Sequence, residues 1–133
     1  MIINISEAAN LALHAMVYLA NNQEKTPVST GHVAAQLEAS EAHLSKVFQR
    51  LTKVGLVKSI RGPKGGFVLL SNPSEITLLA IYEAIDGTIS KSDCLLGNPA
   101  CDRDECIFGK LVTEIRTQVD SHFSKTTLAD LVE

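Results

Sequence analysis

Gly62-Pro63-Lys64-Gly65-Gly66, flanked by Arg61 and Phe67, sets three glycines and a proline in five consecutive positions. Such a stretch demands backbone angles that most residues adopt poorly, so it reads as the tip of a hairpin. Leu56 to Arg61 and Phe67 to Leu70 read as the two strands that it joins. The tip is also charged, with Arg61 at its base and Lys64 near its point. A phosphate-binding loop is excluded, because the Gly-Lys-Ser/Thr pattern and the helix that must follow it are both missing.

Upstream of the hairpin the apolar spacing is helical. Residues 5–20 read as a first helix, with Ser6 as its cap and Leu13, Met16, Val17 and Ala20 on one side. A polar turn runs from Asn21 to Val28. Residues 29–37 read as a second helix, capped by Ser29 or Thr30, with Val33, Ala34 and Leu37 facing inward. Glu38-Ala39-Ser40 is a tight break, and Ser40 can cap a third helix that runs to about Lys53. Leu44, Val47, Phe48 and Leu51 form the inner face of that helix, and Gly55 suits a left-handed stop. Two short helices three residues apart, the second basic on its outer side, match a helix-turn-helix. A basic hairpin directly after the second is the wing of a winged helix.

The charge distribution supports a polyanionic partner. The chain has 133 residues and a net charge of −3, which by itself says little about nucleic acid. Yet Ala42 to Ser74 contains no Asp or Glu and six of the twelve basic residues: Lys46, Arg50, Lys53, Lys58, Arg61 and Lys64. One face is therefore drawn to a polyanion while the acidic remainder is repelled. On the third helix Glu41, Ala42, His43, Ser45, Lys46, Gln49 and Arg50 are outward. Gln49 suits adenine, and Lys46 and Arg50 suit guanine or phosphate. Lys53, Lys58, Arg61 and Lys64 are placed to grip the DNA backbone. Ser40 at the helix start and Gly62 and Gly65 at the hairpin tip complete the candidate DNA-contact set.

Downstream, Asn72-Pro73-Ser74 breaks the chain. Thr77 can cap a fourth helix through Asp86, with Leu78, Ile81, Tyr82 and Ile85 as its stripe and Gly87 as its stop. Residues 88–106 show no periodicity and hold all three cysteines, Cys94, Cys101 and Cys106. Phe108, Leu111, Val112, Ile115, Val119 and Phe123 then form one apolar stripe on a long helix outside the winged half. A second copy of the chain is the natural cover for that stripe. Thr127 can cap a last turn, Leu128 to Val132. The reading divides the chain into a winged helix-turn-helix at 1–87, a cysteine-bearing loop at 88–106, and a dimerisation helix with its tail at 107–133. The expected class is mainly α with a small β-hairpin.

Three soft thiolates within one short stretch can share a metal or an iron–sulfur cluster. They are one short of a closed set, so a fourth ligand has to come from elsewhere. The spacing alone leaves open a cluster, another metal, redox-active thiols and inert cysteines. No Cys-x-x-Cys pair suggests a thiol oxidoreductase. His32, His43 and His122 read as surface or core residues. His14 lies one turn after Asn10 on the first helix, and either could complete a site on the cysteine loop of a partner chain. An odd cysteine count fits a reducing cytoplasm better than a secreted disulfide framework. The N-terminus lacks signal-peptide features, and no apolar run approaches a membrane span. No nucleophile elbow, zincin motif or paired acids support an enzyme.

Nearly the whole chain resembles the Rrf-type family of bacterial winged-helix regulators. The resemblance is carried by Leu13-His14-Ala15-Met16-Val17-Tyr18-Leu19-Ala20, by Leu51-Thr52-Lys53-Val54-Gly55-Leu56-Val57-Lys58-Ser59, and above all by Arg61-Gly62-Pro63-Lys64-Gly65-Gly66-Phe67. Ile76-Thr77-Leu78 with Ile81 is similar to the family's next helix. Thr127-Leu128-Ala129-Asp130-Leu131 is similar to the tail of its nitric-oxide-sensitive repressor branch. The resemblance implies a homodimer joined by the long helix and a palindromic duplex operator. It also implies an iron–sulfur cluster, 2Fe–2S or 4Fe–4S, held by Cys94, Cys101 and Cys106 and sensing nitric oxide, redox state or iron–sulfur status. The alternative is a cluster-free regulator that uses thiol oxidation or a small-molecule or protein effector.

The fourth ligand differs among branches. The cluster-assembly branch places a histidine where this chain has Gly109. The nitric-oxide branch uses an acid on the partner's first helix, where this chain has Asn10, and some relatives use a histidine at the position of His14. In the recognition helix, Ser45 stands where a glutamate is common.

Overall fold

Each helix start follows from a short polar side chain placed to accept an otherwise unpaired amide. In this computed structural model, which describes residues 4–89 and 104–133, Ser6 Oγ accepts the N–H of Ala9 at 3.0 Å and opens α1 (Glu7–Asn21). Ser29 opens α2 (Thr30–Gln36) by accepting from His32, and Ser40 opens α3 (Glu41–Lys53) by accepting from His43. Thr77 opens α4 (Leu78–Asp86) through Ala80. Such caps stabilise a helix by about 1 kcal/mol each. The sequence bounds of these four helices hold to within a residue or two. Gly55 and Gly87 take the positive φ values, 81° and 79°, that stop α3 and α4.

The hairpin is β1 (Val57–Ile60) and β2 (Gly66–Leu69), antiparallel, with Val57 opposite Leu69 and Ile60 opposite Gly66. Its glycines serve two different needs. Gly62 turns the chain at φ 113°. Gly65 and Gly66 admit neighbouring backbone, since an added Cβ would lie 2.2 Å from the Ile60 carbonyl oxygen at Gly65 and 2.2 Å from that of Val28 at Gly66. That second approach reveals a pairing the sequence did not announce. Val28 bonds Phe67 in both directions, N–H to carbonyl, at 3.2 and 2.9 Å. The segment before α2 is thus a third, one-residue strand that fixes the hairpin against the helix-turn-helix.

The core lies between α1, α3 and α4. Met16, Leu19, Leu44, Phe48, Leu51 and Ile81 are wholly buried in it. Phe48 of α3 stacks on Phe67 of β2, with ring centres 4.3 Å apart and planes 10° apart, so recognition helix and wing share one apolar contact.

The C-terminal arm departs from expectation at its start. α5 is Leu111–Lys125, and Phe108 stands in a turn ahead of it. The cause is Gly109, whose φ of 58° is left-handed and whose N–H closes a turn onto the Cys106 carbonyl at 2.9 Å. Nor does α5 stand apart from the winged half. Val112 is buried, and Phe123 meets Tyr82 of α4 edge-on at 5.8 Å. Residues after α5 fold back: Leu78 N–H bonds the Thr126 carbonyl and Leu128 N–H bonds that of Ile76. Thr127 and Asp130 form a reciprocal capping box that starts α6 (Leu128–Leu131) and seats Leu128 in the core. Burial, with the Asp86 charge behind it, pushes the Tyr82 phenol above its usual pKa. Among the described residues, no helix is long and apolar enough to cross a membrane.

Candidate nucleic-acid interface and cysteine site

α3 is amphipathic because its apolar residues recur every three to four positions, which leaves one side for polar groups. Lys46, Gln49 and Lys53 are exposed on that side, and His43 and Ser45 are half-exposed. Ser40 is exposed, its hydroxyl committed to capping. Glu41 leans back over α2, with Oε1 at 3.3 Å from where a Cβ on Gly31 would sit. Its carboxylate therefore packs at the first turn of α2. On the hairpin Lys58, Arg61, Gly62 and Lys64 are exposed and Gly65 is half-exposed. Apart from Glu41 and Arg50, the candidate contacts from Ser40 to Gly65 are exposed or half-exposed without a bond that turns them to another helix, on α3, β1 and the hairpin tip.

Arg50 stands in a different setting. Its guanidinium donates to the Ile85 carbonyl, at the C-terminal end of α4. A cation there meets the negative end of the helix. One residue on, Asp86 accepts the backbone N–H of Ser6 at 2.9 Å and its hydroxyl at 2.5 Å. The end of α3, the start of α1 and the end of α4 therefore meet at Ile85 and Asp86, just before Gly87. Sequence patterning gave no sign of this junction. Ser6 reads as a cap and Arg50 as a DNA contact, while their partners, Asp86 and Ile85, lie 80 and 35 positions away.

Of the three cysteines, Cys94 and Cys101 lie outside the described residues. Cys106 is exposed, and its sulfur accepts the backbone N–H of Phe108 at 3.4 Å. His14 is exposed on α1, and its Nδ1 lies 2.8 Å from the Asn10 carbonyl oxygen. A carbonyl can only accept, so Nδ1 carries the proton, and the lone pair of the neutral ring is on Nε2. That is the form in which imidazole binds metal. Asn10 is also exposed. A groove of about 410 Å³ beside these two residues reaches Glu38, Ala39, Ser40 and His43 at the turn of the helix-turn-helix. Among the described residues no three His, Cys, Asp or Glu side chains converge as a metal site. The described donors, one thiol and one imidazole, are of the soft and borderline kind that suits iron–sulfur or zinc chemistry.

Comparison with known proteins agrees with this architecture. The pattern of the Rrf2 family, described as an iron-dependent transcriptional regulator, matches residues 5–133. The HTH-type transcriptional regulator IscR of Serratia proteamaculans is 30% identical over 129 residues, covering 96% of this chain and 78% of that protein. Among solved structures, CymR, the global cysteine regulator of B. subtilis, superposes with a TM-score of 0.81 at 34% identity, over 97% of this chain and 95% of that one. IscR of T. potens gives a TM-score of 0.74 at 25% identity, over 97% and 85%. These relatives are regulators of transcription, not enzymes.

Proposed function

The chain belongs to the Rrf2 family of winged-helix transcription regulators, and from that premise we propose that it binds a palindromic DNA operator as a homodimer, with its affinity set by an iron–sulfur cluster on Cys94, Cys101 and Cys106. The observation that carries the DNA half is the run from Ala42 to Ser74, free of acids and holding six basic residues, on the recognition helix and wing. Lys46 and Gln49 enter the major groove with Ser45 and His43 beside them. Lys53, Lys58, Arg61 and Lys64 hold phosphates, with Gly62 and Gly65 letting the wing backbone come close. Ser40 orients the helix start, and Glu41 braces it against α2. Arg50 is the exception in this set, a tie between α3 and α4.

In the cysteine half, His14 of the partner chain supplies the fourth ligand through Nε2, in preference to the Asn10 amide. When bound, the cluster supplies a centre that reacts with nitric oxide and oxidants. The protein's own part is mechanical. The Arg50–Ile85 and Asp86–Ser6 bonds join α3 and α1 at the root of the cysteine segment. A shift of the chain beyond Gly87 therefore tilts both helices and alters the spacing of the two recognition helices on the duplex. Couplings of about 1–3 kcal/mol would change operator occupancy some 5- to 150-fold.

The thiol-based reading draws its support from the likeness to CymR, because the Staphylococcus aureus CymR has been solved in an oxidized form, at 26% identity and a TM-score of 0.76. An absorption spectrum with iron and sulfide analysis of anaerobically isolated protein separates the two. The cluster reading expects visible bands and stoichiometric iron that vanish in Cys106→Ser. A colourless, iron-free protein that reconstitution leaves unchanged would instead favour the thiols as direct sensors.

A further inference from the structure

A second groove of about 410 Å³ lies between the turn after α1, the start of α2 and the wing tip. Lys25, His32 and Lys64 line it together with Tyr18, Asn22 and Ser29, and no Asp or Glu does. Its walls are fixed, because the Val28–Phe67 backbone bonds and the close seat of Gly66 on Val28 hold the wing against the segment that carries Lys25. Lys25, His32 and Lys64 are all exposed.

On the floor, Tyr18 Oη and His32 Nε2 are 2.8 Å apart, with the rings tilted at 53°. The pair offers a donor whichever way its shared proton lies. If the phenol donates, His32 carries its proton on Nδ1. If His32 donates from Nε2, the phenol hydrogen is left to point elsewhere. Asn22 is committed below, its amide donating to the Tyr18 carbonyl at 2.8 Å. Two ammonium groups and a constant donor, with no carboxylate among them, suit a phosphate oxygen rather than a neutral ligand.

We infer that this groove, through Lys25, His32, Tyr18 and Lys64, grips a stretch of DNA backbone beside the wing, extending the duplex contact from α3 and the hairpin to the turn between α1 and α2. The inference rests on the DNA-binding reading above, since Lys64 belongs to both surfaces. It adds Lys25, Tyr18 and His32 to the contact set, residues that lie outside the acid-free run and so escaped the charge pattern.

The test is the salt dependence of binding of the full chain to a mixed-sequence duplex, for wild type, Lys25→Ala, Lys64→Ala and Tyr18→Phe. Each lysine that releases a counterion on binding contributes about 0.9 to the slope of log affinity against log salt. Lys25→Ala should therefore flatten the slope by about 0.9, like Lys64→Ala, so that raising salt fourfold costs it about threefold less affinity than wild type. Tyr18→Phe should keep the wild-type slope, because it removes no charge and the neutral His32 ring still carries one N–H donor. A wild-type slope in Lys25→Ala, alongside a flattened one in Lys64→Ala, would overturn the inference and leave the wing reading intact. No salt-sensitive binding by wild type would remove both.

Discussion

The wing and the first turns of the C-terminal arm are both exposed, yet the chain treats them in opposite ways. At the wing the central apolar contacts are made within the chain. Phe67 stacks on Phe48, Val57 is buried, and the one-residue strand at Val28 closes the flank. The tip offers polar and charged groups outward, while Val54 and Leu70 at its root stay 54% and 51% exposed. At the start of the arm Ile107, Phe108 and Leu111 remain 71%, 44% and 52% exposed around the Cys106 turn, while α5 beyond them is packed on α4. The first region is built around an apolar stack closed within one chain, whereas the second leaves Ile107, Phe108 and Leu111 open around a single turn. That contrast separates a reading head from the place where a second copy and a sensing centre would join.

The largest expected effect breaks the closed region. Gly66→Ala drives a methyl group into the Val28 carbonyl and should cost about 3 kcal/mol, the upper range for overpacking, seen as a lower urea midpoint. An unchanged midpoint would mean that the wing is not clamped to the segment before α2. Next in size is the junction. Ser6→Ala removes both the α1 cap and one bond to Asp86, and should cost about 1–2 kcal/mol in the same assay. The smallest effect on stability belongs to the open region, and it sharpens the comparison. Leu111→Glu should move the stability of the isolated chain by no more than about 0.5 kcal/mol, as exposed positions do, while shifting sedimentation from dimer to monomer. A variant that stays dimeric would place the dimer contact elsewhere on the molecule.

Most of the closed region was legible because local rules govern it. Ser6, Ser29, Ser40 and Thr77 announce helix starts through their own side chains, and Gly55 and Gly87 announce stops through φ. The acid-free run marks one basic surface in the same way. What was not legible depends on partners distant in sequence. The Val28–Phe67 pairing rests on a single residue after a proline, too short to show period-two alternation. Arg50 carries the same charge whether it meets phosphate or the end of α4, and only the fold distinguishes these. The start of α5 was misjudged because an apolar stripe counts Phe108 in, whereas one left-handed glycine puts it out. Cys94 and Cys101 remain sequence-level assignments, and their role rests on spacing, on the family, and on the disposition of Cys106 and His14.

The most direct test of the account is the affinity of anaerobically isolated dimer for its operator, isolated by selection from random duplexes, before and after nitric oxide. The account predicts loss of the visible bands together with a change in affinity of at least about fivefold, abolished in Cys106→Ser. Equal affinities before and after, with the bands bleached, would contradict it and leave a DNA-binding protein whose cysteines do not govern its grip.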